Sequence, residues 1–270
     1  MLIEPRRYPV APHAGLPQRT VLAASSTQFS VCITRCDEEI REAKQLRYQV
    51  FSEEMGAHLN ARQAGIDEDI YDAFCDHLIV RDNASLQVVG TYRILSPQQA
   101  KRLGYYADTE FFTTRLDPMK PDLVEFGRSC VHRDYRSGPV IMMLWAGLAQ
   151  YMRTRGYEHV IGCASIGMRD GGHQAASLFR RLKDAHMAPP EYQVFPRNPL
   201  PLDKLHDTLE VEAPPLVKGY LRVGAQICGD PAWDPDFNSA DFFMLLSLAN
   251  MNPRYARHFA IGNERTRRQN

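Results

Sequence analysis

The chain reads as an α/β protein built on a mixed central β-sheet with helices on both faces. Three observations predict this. Strand-like and helix-like segments alternate along most of the 270 residues. A hairpin interrupts that alternation, so the sheet must contain antiparallel as well as parallel neighbours. Residues 139–152 form a run of fourteen without a charge, too short to cross a bilayer and suited to a helix buried against a sheet.

Taken in order, Phe29-Ser-Val-Cys-Ile-Thr34 is a short strand. Asp37 is expected to cap a helix that carries Ile40, Ala43, Leu46, Arg47, Val50 and Phe51 at helical spacing. Residues 57–76 form a polar, acidic connection. Residues 77–81 and 87–95 are two strands joined through a turn at Asp82-Asn83. A helix follows over 97–103, and Phe111-Phe112 anchors a loop. Leu123-Val-Glu-Phe-Gly-Arg-Ser-Cys-Val-His132 is a strand that carries Glu125 and Arg128. A basic turn, Arg133-Asp-Tyr-Arg-Ser-Gly138, then leads into a helix opened by Pro139 and ended by Gly156. Residues 158–165 are the next strand and 173–183 a helix. Residues 187–215 hold seven prolines and run over the surface. Residues 216–224 and 240–248 are expected as a final pair of strands around a loop at 228–238. This gives a loose arm (1–27), one domain (28–260) and a basic tail (261–270).

Composition narrows the function. Hydrophobic residues make up 44% of a chain whose formal net charge is zero, so a sizeable core is available and a dedicated nucleic-acid binder is disfavoured. The six cysteines are spread along the chain as reduced thiols. Cys32-x-x-x-Cys36 lacks a second ligand pair at metal spacing, so no metal is expected. The first 25 residues contain no continuous apolar stretch of the kind a signal peptide needs. The expected location is the cytoplasm, with weak peripheral contact at the inner membrane through the basic tail as a further expectation.

Strand, basic glycine turn and buried helix aim a helix N-terminus at an anion, typically phosphate. Arg133, Arg136, Ser137 and Gly138 are the candidate anion contacts. Residues 126–183 hold nine Lys or Arg against three acids, a basic surface around that turn. Glu125, beside it on the strand, is a candidate base if burial raises its pKa; the alternative is a strand glutamate paired with Arg93 or Arg128. A backbone N–H near Cys130 or Val131 is the candidate oxyanion donor, where the strand must bend. Arg47, Arg93 and Arg128 each interrupt an apolar segment, either to bind a substrate carboxylate or to form a structural ion-pair network. The acidic supply is residues 64–76, with five acids and no Lys or Arg; it is either a solvated loop or a segment docked on the strands through Tyr71 and Phe74. Cys130, Cys163 and Ser165 read as small strand residues, because no adjacent His–acid pair accompanies them.

The element order resembles the GNAT acyltransferase fold. Leu46-Arg-Tyr-Gln-Val-Phe51, Asp69-Ile-Tyr-Asp72, Val89-Gly-Thr-Tyr-Arg93 and Glu125-Phe-Gly-Arg128 match, in order, blocks of acyl-homoserine-lactone synthases. A closer resemblance is to bacterial ornithine Nα-acyltransferases, through Asp72-Ala-Phe-Cys-Asp-His77, Glu125-Phe-Gly-Arg-Ser-Cys-Val-His132, Gly162-Cys-Ala-Ser165, Lys218-Gly-Tyr-Leu-Arg-Val-Gly224 and Pro231-Ala-Trp-Asp-Pro-Asp-Phe-Asn238. It covers about residues 30–260. The resemblance implies transfer of a (3-hydroxy)fatty acyl group from acyl carrier protein to the α-amine of ornithine. It implies no cofactor beyond the carrier's own acyl-phosphopantetheine. Arg136-Ser-Gly-Pro replaces the usual GNAT pyrophosphate turn, which suits a carrier protein better than coenzyme A. Glu125 and Arg128 would then be catalytic, and Arg47, Phe51, Asp69, Asp72, Asp76 and Arg93 would form the acceptor site. Asp72 or Asp76 would meet the ornithine side-chain ammonium. Other acceptors (glycine, tyrosine), an autoinducer synthase and a non-catalytic sensor of acyl carriers are the alternatives.

Overall fold

A computed structural model describes residues 19–59 and 63–259. Its strands are β1 (Arg19–Val21), β2 (Phe29–Thr34), β3 (Asp76–Asp82), β4 (Val88–Leu95), β5 (Phe111–Phe112), β6 (Leu123–Val131), β7 (His159–Gly167), β8 (Phe195–Pro196), β9 (Gln226–Ile227), β10 (Ala232–Asp234) and β11 (Ser239–Ser247). Its α-helices are α1 (Asp37–Tyr48), α2 (Pro97–Leu103), α3 (Val140–Arg155), α4 (His173–His186), α5 (Pro215–Val223) and α6 (Pro253–His258). The main sheet runs β1-β2-β3-β4-β6-β7-β11-β10, with β9 also pairing to β11. Its neighbours are antiparallel except β6 and β7.

The period-2 alternation of the strands builds two apolar faces. On the first, Cys32, Ile79 and Cys130 meet Ala43 and Leu46 of α1. Further along the same face, Leu95, Leu123, Ile161 and Phe243 meet Tyr71, Phe74, Tyr105 and Phe111 from the connections. On the second face, Leu78, Val80, Ile94 and Val124 pack against Val140, Leu144, Leu148 and Met152 of α3. Ala164, Ile166, Phe242 and Met244 pack there against α4 and α5. The helix-flanked mixed sheet expected from the sequence is the one found.

Two distortions of the sheet create the site. β6 and β7 pair only at Leu123↔His159, Val124↔Val160 and Glu125↔Ile161. Beyond Glu125, β6 stays with β4 and β7 stays with β11, so the sheet forks. Gly162 sits at the crotch: a Cβ there would meet the Phe126 carbonyl oxygen at 2.4 Å. The second distortion is a bulge. Thr91 pairs with Cys130 and Arg93 with Gly127, leaving Arg128 and Ser129 opposite Tyr92. Arg128 takes a φ of 51° there, a left-handed conformation that a non-glycine residue adopts at a cost. The bend expected at Cys130 or Val131 thus lies earlier in the strand.

Other expectations are corrected. Residues 216–224 are not a strand. Pro215 opens α5 and Gly224 closes it in the left-handed region with φ 107°, while Val217, Tyr220 and Leu221 follow helical spacing. The 228–238 loop contains β10, paired with β11. Asp37 is the first residue of α1, whose N-cap is Cys36. α1 continues into a π-helical turn, Gln49–Glu54, a wider winding often found beside functional sites. The expected arm also shortens, because Arg19–Val21 joins the sheet as β1. Residues 1–18 of the arm and the 261–270 tail lie outside the described residues. Among the described residues, no helix is long and apolar enough to cross a membrane.

Candidate active site

A cavity of about 580 Å³ opens through the fork. Its wall includes Glu125, Arg93, Arg128, Cys130, Val131, Phe51 and Arg136 from among the expected site residues. A second, apolar cavity of about 110 Å³ lies beside it, and Phe126, Trp145, Cys163 and Tyr220 line both. The fork lets one continuous space reach from the first face of the sheet to the second.

Glu125 sits where the strands part and is 5% exposed. Its Oε2 accepts from the Tyr106 N–H at 2.6 Å and its Oε1 from the Ala107 N–H at 2.8 Å. Burial pushes its carboxyl up to about 7, against the opposing pull of those two N–H groups. The expected alternative, a direct ion pair with Arg93 or Arg128, is not what holds it. Each carboxylate oxygen keeps a further lone pair free to accept a proton. A buried carboxylate with a near-neutral pKa is suited to general-base work.

Arg47, Arg93 and Arg128 converge on Asp67, Asp69 and Asp72. Arg47, 1% exposed, reaches Asp67 at 2.6 Å and Asp72 at 2.7 Å. Arg93 binds Asp69 at 2.6 Å and approaches Asp72 at 3.4 Å. Arg128 binds Asp69 at 3.1 Å and faces Asp67 at 3.4 Å. Burial alone would raise the Asp72 carboxyl, yet Arg47 and Arg93 hold it well below the usual carboxylate range. The acidic segment is therefore docked on the strands, and all three arginines take part in an ion-pair network with it. Arg47 is sealed inside the network. Arg93 and Arg128 line the cavity, and the Arg128 Nε is buried without a hydrogen-bond partner. Tyr106 and Phe237 each lie with ring centre 4.7 Å from the Arg128 guanidinium, and Phe51 meets Phe237 edge-on.

Asp76 belongs elsewhere. The alternation of β3 turns it to the second face, where Arg35 pairs with it and the Tyr151 hydroxyl donates to it at 2.9 Å. Its neighbour His77 faces the network instead, with Nε2 3.1 Å from the Asp72 carbonyl oxygen. Asp76 is a structural anion between β3 and α3, not an acceptor residue. Asp72 is already spoken for by Arg47.

The turn before α3 is exposed at Arg133, Arg136, Ser137 and Gly138. Arg136 is the member that borders the cavity; its Nε donates to the Val131 carbonyl oxygen at 3.0 Å and it pairs with Glu54 at 2.7 Å. Ile141, Met142 and Trp145 of α3 continue the rim. Cys130 is no nucleophile, since burial raises its thiol to about 12; burial also lifts Cys163 well above its ordinary value.

Residues missing from the sequence reading complete the wall. Tyr92 and Tyr220 place their hydroxyls 2.7 Å apart, and the Trp145 Nε1 donates to Tyr92 at 3.3 Å. On the first face, Glu110, Asp234 and Asp241 bring carboxylate oxygens within 4.8 Å of one another.

Known proteins place this geometry in a family. Residues 46–146 match the Acetyltransferase (GNAT) domain. The chain is 35% identical over 239 residues to the L-ornithine N(alpha)-acyltransferase of Brucella abortus (strain 2308), covering 82% of this chain and 84% of that protein. It is 34% identical over 247 residues to the L-ornithine N(alpha)-acyltransferase of Rhizobium meliloti (strain 1021), covering 84% and 82%. Among solved structures, the acyl-homoserine-lactone synthase LasI is similar at a TM-score of 0.49 and 14% identity, over 82% of this chain and 91% of that one. On the identity and coverage of those relatives, the chain belongs to the L-ornithine Nα-acyltransferase family and is an acyltransferase.

Proposed function

We propose that the protein transfers a (3-hydroxy)fatty acyl group from acyl carrier protein to the α-amine of L-ornithine. The observation that carries this reading is Glu125: a buried carboxylate with a pKa near 7, at the base of a fork that joins a polar cavity to an apolar one. The names of the relatives supply the acceptor.

The carrier's phosphate would rest at the exposed turn before α3, where Arg133, Arg136 and the helix N-terminus offer positive charge. The pantetheine arm would run along the bulged part of β6, and the acyl chain would enter the apolar cavity past Phe126 and Trp145. The acceptor would approach from the first face, its carboxylate drawn to Arg128, which lines the cavity and whose Nε, 3.4 Å from Asp67, makes no hydrogen bond. Its amine attacks the thioester carbonyl; the C–N bond forms and the C–S bond breaks. Glu125 takes the proton that nitrogen loses. The Tyr92–Tyr220 hydroxyl pair lines the same passage and can return a proton to the departing thiolate. Backbone N–H groups freed by the bulge at Arg128-Ser129 are candidates to hold the developing oxyanion.

The test is a single-turnover assay with 3-hydroxyacyl carrier protein, ornithine and the purified protein, read by mass spectrometry. N-acylornithine with matching release of carrier thiol is expected. Thiol release with no acylated amine from any common amino acid would refute the reading, and product from acyl-CoA but not from acyl carrier would reassign the donor.

A further inference from the structure

We propose that Glu110, Asp234 and Asp241 form an acidic recess that receives the side-chain ammonium of the acceptor and so selects a diamino acid over an uncharged analogue. The inference rests on the acceptor reading above and names the residues that would enforce it.

All three residues line the cavity that Glu125 lines. β11 pairs with β7 so that Asp241 lies opposite Ser165, while Glu125 lies opposite Ile161 of the same strand. Those positions are an even number of residues apart, so both carboxylates share a face. Four residues along β7 at ~3.3 Å each and two strand spacings of ~4.8 Å put their backbones roughly 16 Å apart. Side chains reaching inward from both ends shorten that gap to the scale of an amino acid with an extended arm.

The recess has no cation of its own. Asp67, Asp69 and Asp72, on the same face, are matched by three arginines. Among the described residues, no Lys or Arg forms an ion pair with Glu110, Asp234 or Asp241. Asp241 is 3% exposed and accepts from the Ser239 hydroxyl at 3.2 Å. Asp234 Oδ1 accepts from the N–H groups of Asp236 at 2.8 Å and Phe237 at 3.1 Å. Glu110 Oε2 is sealed from solvent without a hydrogen-bond partner of its own, while the Glu110 carboxyl is hydrogen-bonded to that of Asp241. Burial and the neighbouring Asp241 push the Glu110 carboxyl up to about 10, and burial raises Asp241 as well. Crowded buried carboxylates repel one another, and a proton held between Glu110 and Asp241 relieves that repulsion only in part. An ammonium has three donors and a positive charge, so it satisfies acceptors on three sides and offsets that repulsion.

The experiment compares ornithine with norvaline, which has the same arm without the amine, in wild-type protein and in Glu110→Gln and Asp241→Asn. The ornithine-to-norvaline ratio of kcat/KM should fall at least about tenfold in each variant, through KM for ornithine, since a hydrogen bond to a charged group is lost. Glu110→Gln should also melt at a higher temperature than wild type, because it removes one crowded carboxylate; this separates a lost contact from a failed fold. An unchanged ratio in both folded variants, or equal losses on both acceptors, would overturn the proposal. Melting temperature with Mn²⁺ or Ca²⁺ is the second measurement. A divalent cation that stabilises wild type but not Glu110→Gln, where ornithine stabilises neither, would make the recess a metal site and equally overturn it. Should wild type acylate other amines but no ornithine, the acceptor reading itself fails, an outcome visible before any variant is made.

Discussion

The sharpest prediction concerns the proton that Glu125 is expected to take. Its carboxyl rises from 4.5 to about 7 through burial. With a pKa near 7, about a tenth of the protein carries the base form at pH 6 and about nine-tenths at pH 8. Single-turnover acyl transfer should therefore rise about tenfold across that interval. Glu125→Gln should lower the rate by ~10²–10⁴ and remove that limb of the profile. The acceptor amine titrates too, but its limb persists in the variant, so the difference between the two profiles isolates Glu125. Stability supplies an independent readout. The folded-state pKa is raised, so the contribution of the protonated form is complete below about 4.5 and is lost as pH rises through about 7. That loss is about 3 kcal/mol at ~1.4 kcal/mol per unit. Glutamine cannot titrate, and its single carbonyl can accept only one of the two N–H groups that Tyr106 and Ala107 present. In urea unfolding the variant should thus be the weaker protein at pH 5 and should gain on wild type toward pH 8. A folded variant that keeps more than about a third of the wild-type rate, or the same pH limb, would refute the base assignment.

Four further predictions follow from the same geometry. Asp76→Asn should lower stability by ~1–3 kcal/mol through the contacts of Arg35 and Tyr151, with the ornithine-to-norvaline ratio unmoved; an effect confined to ornithine would return Asp76 to the acceptor site. Asp72→Asn should cost more, about 3–5 kcal/mol, because it leaves Arg47 buried with half its counter-charge. The Asp72 carboxyl lies well below its ordinary value, so its contribution holds above about pH 4 and disappears as pH falls below that, which acid unfolding of wild type and variant would reveal. Ala149→Phe, filling the apolar cavity, should depress kcat/KM for long-chain donors more than for short ones; uniform loss would mean the chain lies elsewhere. Arg136→Glu should weaken binding of acyl carrier protein and flatten its dependence on salt, measured by titration at two ionic strengths.

What was legible in the sequence was whatever depends on periodicity or on a charge set against an apolar background. Arg47, Arg93 and Glu125 stood out because each interrupts an apolar run, and the structure gathers all three around one cavity and its supporting ion pairs. The same signal was present at Asp241, which interrupts Ser239-Ala-Asp-Phe-Phe-Met-Leu-Leu246, and at Asp234 in the block around Trp233; neither was weighed. Glu110 carried no such mark, since its neighbours on the chain form a loop. Asp76 groups with Asp69 and Asp72 in the sequence because a dense acidic segment looks uniform there, whereas the structure sets it against Arg35 and Tyr151. It starts a strand, and at a strand the side-chain direction reverses with every residue, so His77 faces the network and Asp76 faces α3. Residues 216–224 failed for a different reason: a short apolar stretch has little periodicity to read, and the Pro215 and Gly224 signals at its ends were the better guide.

The zero net charge of the chain hides a local polarity that the fold assembles. On the first sheet face, three arginines and three aspartates form a compact network whose least buried arginine, Arg128, lines the cavity. Across the same cavity the carboxyls of Glu110, Asp234 and Asp241 form an acidic recess, and among the described residues no Lys or Arg is ion-paired with them. Glu125 lies between, held by backbone N–H groups instead of by an arginine. A glutamate locked in an ion pair would be pulled far down the pH scale, as Asp72 is, and would make a poor base at neutral pH. Backbone donors fix its position while leaving its pKa near 7. On the proposed reading, a diamino acid in that field would be oriented by its own charges: carboxylate toward Arg128, side-chain ammonium toward the acidic recess. The α-amine is then left at Glu125, which is where the reaction needs it. On the proposed reading, reversing the acceptor would set its carboxylate against this acidic recess, so the arrangement that admits the substrate would also disfavour its wrong end.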